Sequence, residues 1–315
     1  MTSPTDTAAS SGQISSLNNE FNRTTDCKTV VVPQEIFSTI AVVGLLENIP
    51  VLIAVVRNKN LHSPMYFFIC SLSVSDMLFC IYKIVENAVI TFCKIKKLCF
   101  DFKELELQLD DVIDSVFIIS LLGSILSLSM IAIDRYITIF HALRYHNIMT
   151  TKRAVIILAV SWSVCTGLGI PMTVYSHGKS TIFGFFIIFT ISYIFILCLY
   201  LSMFFLAHSH ATRIASLPGN GIHPRVNMKG AITITILLGV FLVCWTPFFV
   251  HILLIEICPL NPYCICYISI FQASVTFMTF NSVINPLIYA FRSPELRNTF
   301  QRMLCCLAVR QYYGF

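Results

Sequence analysis

The chain has little charge. Only 12% of its 315 residues are Asp, Glu, Lys or Arg, against about 25% in soluble domains. Its mean hydropathy is +0.78. Several function classes lack their signatures. There is no Gly-rich phosphate loop, no zinc-type CxxC pair and no basic nucleic-acid motif, so the net charge of +5 does not point to nucleic acid. No Ser-His-Asp group and no His-rich set sits at one depth, which argues against a membrane enzyme. No repeats or broken helices suggest a transporter. The first 30 residues are polar and carry no apolar h-region, so no cleaved signal peptide is expected.

What is present is apolar and segmented. Seven stretches stand out, at 36–56, 65–93, 112–140, 154–175, 182–207, 231–256 and 264–290. Each is long enough to cross a bilayer as a helix. Pro64, Pro171, Pro247 and Pro286 sit at or inside spans, where neighbouring helices re-satisfy the freed carbonyls. The expected fold class is therefore an all-α membrane protein, a seven-transmembrane helix bundle. The amphipathic run RSPELRNTFQRML after span seven predicts a short further helix. The chain divides into a tail at 1–34, a membrane domain at 35–291 and an amphipathic helix with a short tail at 292–315.

Loop cations set the orientation. Arg57 and Lys59, then Arg144, Lys152 and Arg153, then Arg213, Arg225 and Lys229, then Arg292, Arg297, Arg302 and Arg310 mark four segments as cytosolic. The loop after span two opposes them with Lys94, Lys96, Lys97 and Lys103. Four segments outvote one, so the N-terminus is expected outside and the C-terminus inside, in the plasma membrane. Asn22-Arg23-Thr24 is then a glycosylation sequon on an exposed, disordered tail. Cys27, Cys258, Cys264 and Cys266 face the oxidising side and can form disulfides. Cys70, Cys80, Cys165, Cys198 and Cys244 lie in spans and are expected as small buried packing residues. Cys93 and Cys99 stay unassigned. Cys305 and Cys306 follow the amphipathic run and are candidates for palmitoylation.

Span three concentrates the chemistry. Asp110, Asp111 and Asp114 stand at one end and Asp134-Arg135-Tyr136 at the other, with no charge over 116–133. Twenty residues of helix cover roughly 30 Å, the thickness of the hydrocarbon core. Charges are costly in lipid, so both ends become functional candidates. Asp76 lies about 18 Å along span two from Pro64, near mid-membrane. Its candidate partners are Asn48, Asn281 and Asn285. A protonated, hydrogen-bonded carboxyl is the alternative there.

These marks together resemble the rhodopsin-like G-protein-coupled receptors. Asn48, Asp76, Asp134-Arg135-Tyr136, Trp162, Cys244-Trp245-Thr246-Pro247 and Asn281-x-x-x-Asn285-Pro286-x-x-Tyr289 fall in order, one mark to each span but the fifth. The resemblance implies that Asp134 holds Arg135 in the inactive state, against the plainer reading of an interfacial ion pair. It implies a sodium or water site around Asp76 and Asn281. It gives Trp245 a coupling role, where packing at a proline kink is the alternative. Asn285, Pro286 and Tyr289 belong to the same switch. A light-sensing opsin is disfavoured, because 264–290 contains no lysine for a Schiff base.

The resemblance narrows further. NKNLHSPMYFFICSLSVSDML, SLLGSILSLSMIAIDRYITIFHALRYHNIMT, NMKGAITITILLGVFLVCWTPFFVH and CPLNPYCICY look like a melanocortin receptor. The short loop SHGKST carries no cysteine, position 110 is Asp where most rhodopsin-like receptors have a cysteine, and span five has no proline. All three are traits of that family. It implies disulfides Cys258–Cys264 and Cys27–Cys266. It also implies that Glu86, Asp110 and Asp114 hold a calcium ion and the arginine of a His-Phe-Arg-Trp peptide core. Asp110 and Asp114 are at i,i+4 on one helix face, whereas Asp111 points about 100° away. Hard carboxylate oxygens suit calcium. A solvated acidic rim is the alternative. Phe248, His251 and Phe271 are the expected pocket for the peptide's aromatic side chains. IYKIVEN, DDVIDSVFIISLLGSI and AFRSPELR look most like the branch that answers to adrenocorticotropin and needs a single-span accessory protein. One departure stands out: Asn285 occupies a position where the family usually has Asp. The expected partners are thus a melanocortin peptide hormone, the stimulatory G protein, the accessory protein and membrane lipid. A silent receptor acting only as a binding partner is the remaining rival.

Overall fold

The computed structural model of the protein describes residues 31–96, 103–174, 179–215, 225–257 and 270–313. Every regular element among them is helical. The helices are α1 (Gln34–Arg57), α2 (Pro64–Lys96), α3 (Lys103–Phe140), the single turn α4 (Tyr145–Ile148), α5 (Thr151–Val174), α6 (Lys179–Ala215), α7 (Arg225–Ile257), α8 (Phe271–Arg292) and α9 (Pro294–Tyr313). Five are long and apolar enough to cross a membrane, and Phe186–Ser202 of α6 is a shorter apolar stretch. α8 buries Ser274, Thr279, Asn281, Ser282 and Asn285 along its length.

The helices overrun the apolar runs. α3 begins at Lys103, nine residues before the expected start at 112. KELELQLD is charged, but it is built from strong helix formers, so the helix continues past the lipid-compatible stretch. α6 and α7 likewise extend beyond the apolar limits at 207 and 231. The apolar run of span seven starts at 264; residues 258–269 lie outside the described residues, and α8 is described from Phe271. Pro50, Pro171, Pro247 and Pro286 all sit inside helices.

The described residues form two units. One comprises 31–33, 244–257 and 270–278; the other comprises the rest. In the larger unit α2 packs between α1 and α3, and α3 also meets α5 and α6. Lipid tails are as apolar as leucine, so apolar burial gives little drive between helices here. Small residues and polar contacts decide the packing instead. Ser71, Ser75, Ser120, Ser124 and Ser127 are all buried. Ser71 Oγ and Ser127 Oγ are 2.8 Å apart, and the Trp162 indole donates to Ser71 Oγ at 3.1 Å. One serine of α2 thus ties α3 and α5. Gly123 makes this approach possible, because a Cβ there would lie 2.5 Å from Ser75 Oγ. Gly44 does the same for α1, where a Cβ would meet Cys80 Sγ at 2.7 Å. Further along, the hydroxyls of Ser115 and Thr173 pair α3 with α5.

The join between α8 and α9 is local chemistry. Ser293 Oγ accepts from Leu296 N at 3.3 Å and Pro294 opens the helix, an N-cap followed by proline at the first turn. Tyr66 of α2 reaches Ser293 Oγ at 3.1 Å and also donates to Glu295. Asn58 Nδ2 donates to Thr299 Oγ1 at 3.0 Å, and Leu296 is fully buried. The amphipathic segment is therefore docked on the turn between α1 and α2.

One cysteine expectation fails. Cys80, Cys165 and Cys244 are buried and Cys70 is half-buried, but Cys198 is exposed. It lies on a face of α6 that no described helix covers, so lipid rather than protein would surround it. Asn22, Cys27, Cys99, Cys258, Cys264 and Cys266 lie outside the described residues, and the side chains of Cys93, Cys305 and Cys306 are not described.

Gly123→Leu is expected to destabilise the receptor by about 1–3 kcal/mol, the usual cost of overpacking. Gly167→Leu should be neutral, because a Cβ at that position would meet nothing within 4 Å. Thermal midpoints of the two variants in one detergent distinguish them; equal midpoints would remove Gly123 from the packing argument.

Candidate functional site

Asp76 is 1% exposed, and the structure surrounds it with amide and hydroxyl donors. Asn285 Nδ2 donates to its Oδ2 at 2.9 Å, and Ser282 Oγ donates to its Oδ1 at 3.3 Å. Ser282 is a partner beyond the three asparagines expected from the sequence. Asn48 does not reach the carboxylate. Its Nδ2 donates to the backbone carbonyls of Ser282 and Gly44, both at 2.9 Å, and so fixes α8 against α1. Among the described residues the Oδ1 of Asn281 is buried without a hydrogen-bond partner, as are Asn285 Oδ1, Asn48 Oδ1 and the Tyr289 hydroxyl. Orphaned acceptors of this kind fit a small hydrated cation or water. Pro286 is buried in the same segment.

At the far end of α3, Asp134 is fully buried and Arg135 only partly exposed. Arg135 Nη2 stands 3.3 Å from Asp134 Oδ2, and the guanidinium lies against the Met65 thioether. The Asp134 Oδ1 accepts from the Tyr145 hydroxyl at 2.9 Å, and its backbone carbonyl accepts from Thr138 at 2.7 Å. Tyr145, on the short turn α4, is a partner that the sequence does not signal. Burial first, and then the Asp134 charge, push its phenol above the ordinary value of 10.0, so it stays a donor at neutral pH. Tyr136 instead faces outward and meets His141 edge-on at 6.4 Å.

The acidic end has a different character. Glu86 Oε2 pairs with Lys83 Nζ at 2.6 Å, and its Oε1 accepts from the Tyr82 hydroxyl at 3.1 Å. Tyr82, which holds Glu86, packs against Phe117 at 5.1 Å, and Phe117 is one turn along α3 from Asp114, so the two carboxylates stand at the same level of the α2–α3 contact. Asp114 is exposed and Asp111 half-buried; the side chain of Asp110 is not described. Beneath them Phe79, Tyr82 and Phe117 form a three-ring cluster, with centroids 5.1–6.2 Å apart, that joins α2 to α3. Among the described residues no group of three His, Cys, Asp or Glu side chains would hold a metal ion. The donor type, two carboxylates with a third on the adjoining turn, is the hard-oxygen chemistry that calcium takes.

In the smaller unit the aromatic candidates meet one another. Trp245 and Phe248 are buried and stand edge to face at 6.2 Å. Phe248 and Phe271 are 6.0 Å apart, and Phe271 meets His251 edge-on at 5.6 Å. His251 is fully buried, its Nδ1 lying 2.9 Å from the Pro247 carbonyl and 3.0 Å from Ser274 Oγ. The ring is a hydrogen-bonded core group.

The family model described as 7 transmembrane receptor (rhodopsin family) matches residues 47–289. The chain belongs to that family. It is also 50% identical over 278 residues to melanocortin receptor 4 of Danio rerio, covering 88% of this chain and 85% of that relative. It is thus a member of the melanocortin receptors within the rhodopsin family. The seven-transmembrane helical fold follows from that membership, as does the position of α1–α3 and α5–α8 as the seven spans.

Tyr145→Phe leaves a buried Asp134 oxygen without its donor, a loss of about 1–3 kcal/mol. Because the folded phenol titrates above 10.0, the bond is present in full below that pH and is lost only as pH rises beyond it. The drop in thermal midpoint should therefore be the same at pH 6 and pH 8; a drop that vanished at pH 8 would contradict the assignment.

Proposed function

We propose that this chain is a receptor for melanocortin peptides that activates the stimulatory G protein and raises cyclic AMP, with adrenocorticotropin as its hormone. The observation that carries the reading is that Glu86 and Asp114 stand at one level of the α2–α3 contact, in a chain half identical to a melanocortin receptor. A peptide arginine needs such a site, since its guanidinium pairs with carboxylates in a fixed fork. Asp110, one turn before Asp114, joins the set. Calcium, when bound, supplies positive charge among these carboxylates. The ring group from Trp245 to His251 offers apolar and edge-to-face contacts for the peptide's aromatic side chains.

The proposed orientation has the N-terminus outside, because the cationic loops lie on the opposite side. The peptide contacts then lie outside and Asp134-Arg135 inside. Ligand binding favours a state in which Arg135 leaves Asp134 and meets the G protein. The ligand must bind that state more tightly, or it shifts nothing. Loss of the ion pair strands a buried carboxylate, and Tyr145 lowers that cost by keeping one hydrogen bond on it. Disulfides Cys27–Cys266 and Cys258–Cys264, glycosylation at Asn22 and palmitoylation at Cys305 and Cys306 complete the proposal.

The hormone rests on the IYKIVEN, DDVIDSVFIISLLGSI and AFRSPELR segments, which look most like the adrenocorticotropin branch. That branch requires a single-span accessory protein. A second reading is a subtype for melanocyte-stimulating hormones, favoured by the identity to melanocortin receptor 4. Cyclic AMP accumulation with each peptide, with and without the accessory protein, separates the two. A response to both peptides without the accessory protein supports the second reading, and silence under every condition overturns both. Asp114→Asn should weaken peptide potency by at least about tenfold while surface expression holds. Unchanged potency removes Asp114 from the site.

A further inference from the structure

The buried cation beside Glu86 has no part in the function proposed so far. Lys83 lies one turn before Glu86 on α2, and its side chain is 8% exposed where that of Glu86 is 30% exposed. The ammonium is therefore inside and the carboxylate reaches outward. Two rings hold it: Nζ is 5.8 Å from the Phe37 centroid on α1 and 4.8 Å from that of Tyr82. Desolvated cations gain from such ring faces. With Tyr82 on Oε1 and Lys83 on Oε2, both oxygens of Glu86 are engaged. An exposed i,i+3 pair would contribute little. A pair whose cation is buried behaves differently, because neither partner can be left alone cheaply.

We propose that Lys83 is a built-in counter-ion of Glu86 with which the cationic group of the ligand must compete, so that Lys83 sets how strongly the receptor reads ligand charge. The inference rests on the reading above that Glu86 takes the peptide's arginine. Each carboxylate oxygen has a second lone pair, so an arriving guanidinium shares Glu86 with Lys83 or displaces it. Either way part of the carboxylate charge is already neutralised, and the arginine gains less than it would from a lone acid. Lys83 is then a specificity-determining residue that need not touch the peptide. A purely structural pair would hold α1 to α2 and leave ligand-charge discrimination unchanged.

The test is competition binding on membranes bearing the full chain together with the accessory protein. The probes are a peptide containing His-Phe-Arg-Trp and the same peptide with citrulline, which keeps the shape of arginine without its charge. Lys83→Met should raise the arginine-to-citrulline affinity ratio by on the order of tenfold, and Lys83→Arg should leave the ratio as in the wild type. An unchanged ratio in Lys83→Met, or a rise in Lys83→Arg, overturns the proposal. If Lys83→Met does not reach the membrane, Lys83→Gln carries the same expectation. The double variant Lys83→Met/Glu86→Gln leaves no unpaired carboxylate and should match Glu86→Gln alone. A tenfold gain on that background would mean direct repulsion of the ligand and also overturns it. Failure of both peptides to bind the wild type overturns the receptor reading itself.

Discussion

Within the membrane domain, a buried polar group must find its partner inside the protein. Water is absent from the hydrocarbon region, and an unmet donor or acceptor there costs several kcal/mol. Asp76 is where this constraint binds hardest. Its carboxylate draws Asn285 and Ser282 of α8 to α2, and Asn48 locks the same turn of α8 to α1 through the Ser282 carbonyl. Those contacts set the register of the segment that carries Pro286 and Tyr289.

The same constraint shapes α3. Its middle carries no charge, and serines stand among its buried apolar residues on the sides that meet α2 and α5. Hydroxyls and glycine let backbones approach where leucine would hold them apart, so α3 is fixed firmly along its length. A rod held this way can keep its ends in register. On α3, Asp134 is shared between Arg135 and Tyr145; on α2, Glu86 is shared between Lys83 and Tyr82. In both places a carboxylate has a cation and a phenol as partners. Each arrangement leaves one hydrogen bond on the acid if the cation is drawn away.

Part of this is legible in residue order. Lys83 and Glu86 are at i,i+3, which puts them on one helix face, and the spacing alone signals the pair. The acids around them are the more conspicuous feature and draw attention from the cation. Ser282 and Tyr145 carry no such signal. Ser282 is a small hydroxyl between two more conspicuous asparagines, and nothing along the chain says which of 281, 282 and 285 points at Asp76. Tyr145 reaches Asp134 only because the chain turns back after α3 through a short helical turn. The early start of α3 escapes hydropathy for another reason: apolarity marks where lipid begins, and helix propensity marks where the helix does.

The order of residues determined that the chain crosses a membrane seven times and which residue types stand at each depth. Those follow from the cost of charge in lipid and from helix rise, and both are local quantities. It also placed Trp245, Phe248, His251 and Phe271 among the candidates. Only the tertiary structure decided which polar groups pair: Asp76 with Asn285 and Ser282, Asn48 with backbone rather than carboxylate, Glu86 with Lys83 and Tyr82. Pairing depends on the rotation of each helix about its axis, and that rotation is set jointly by all the helices it touches. No single segment contains it.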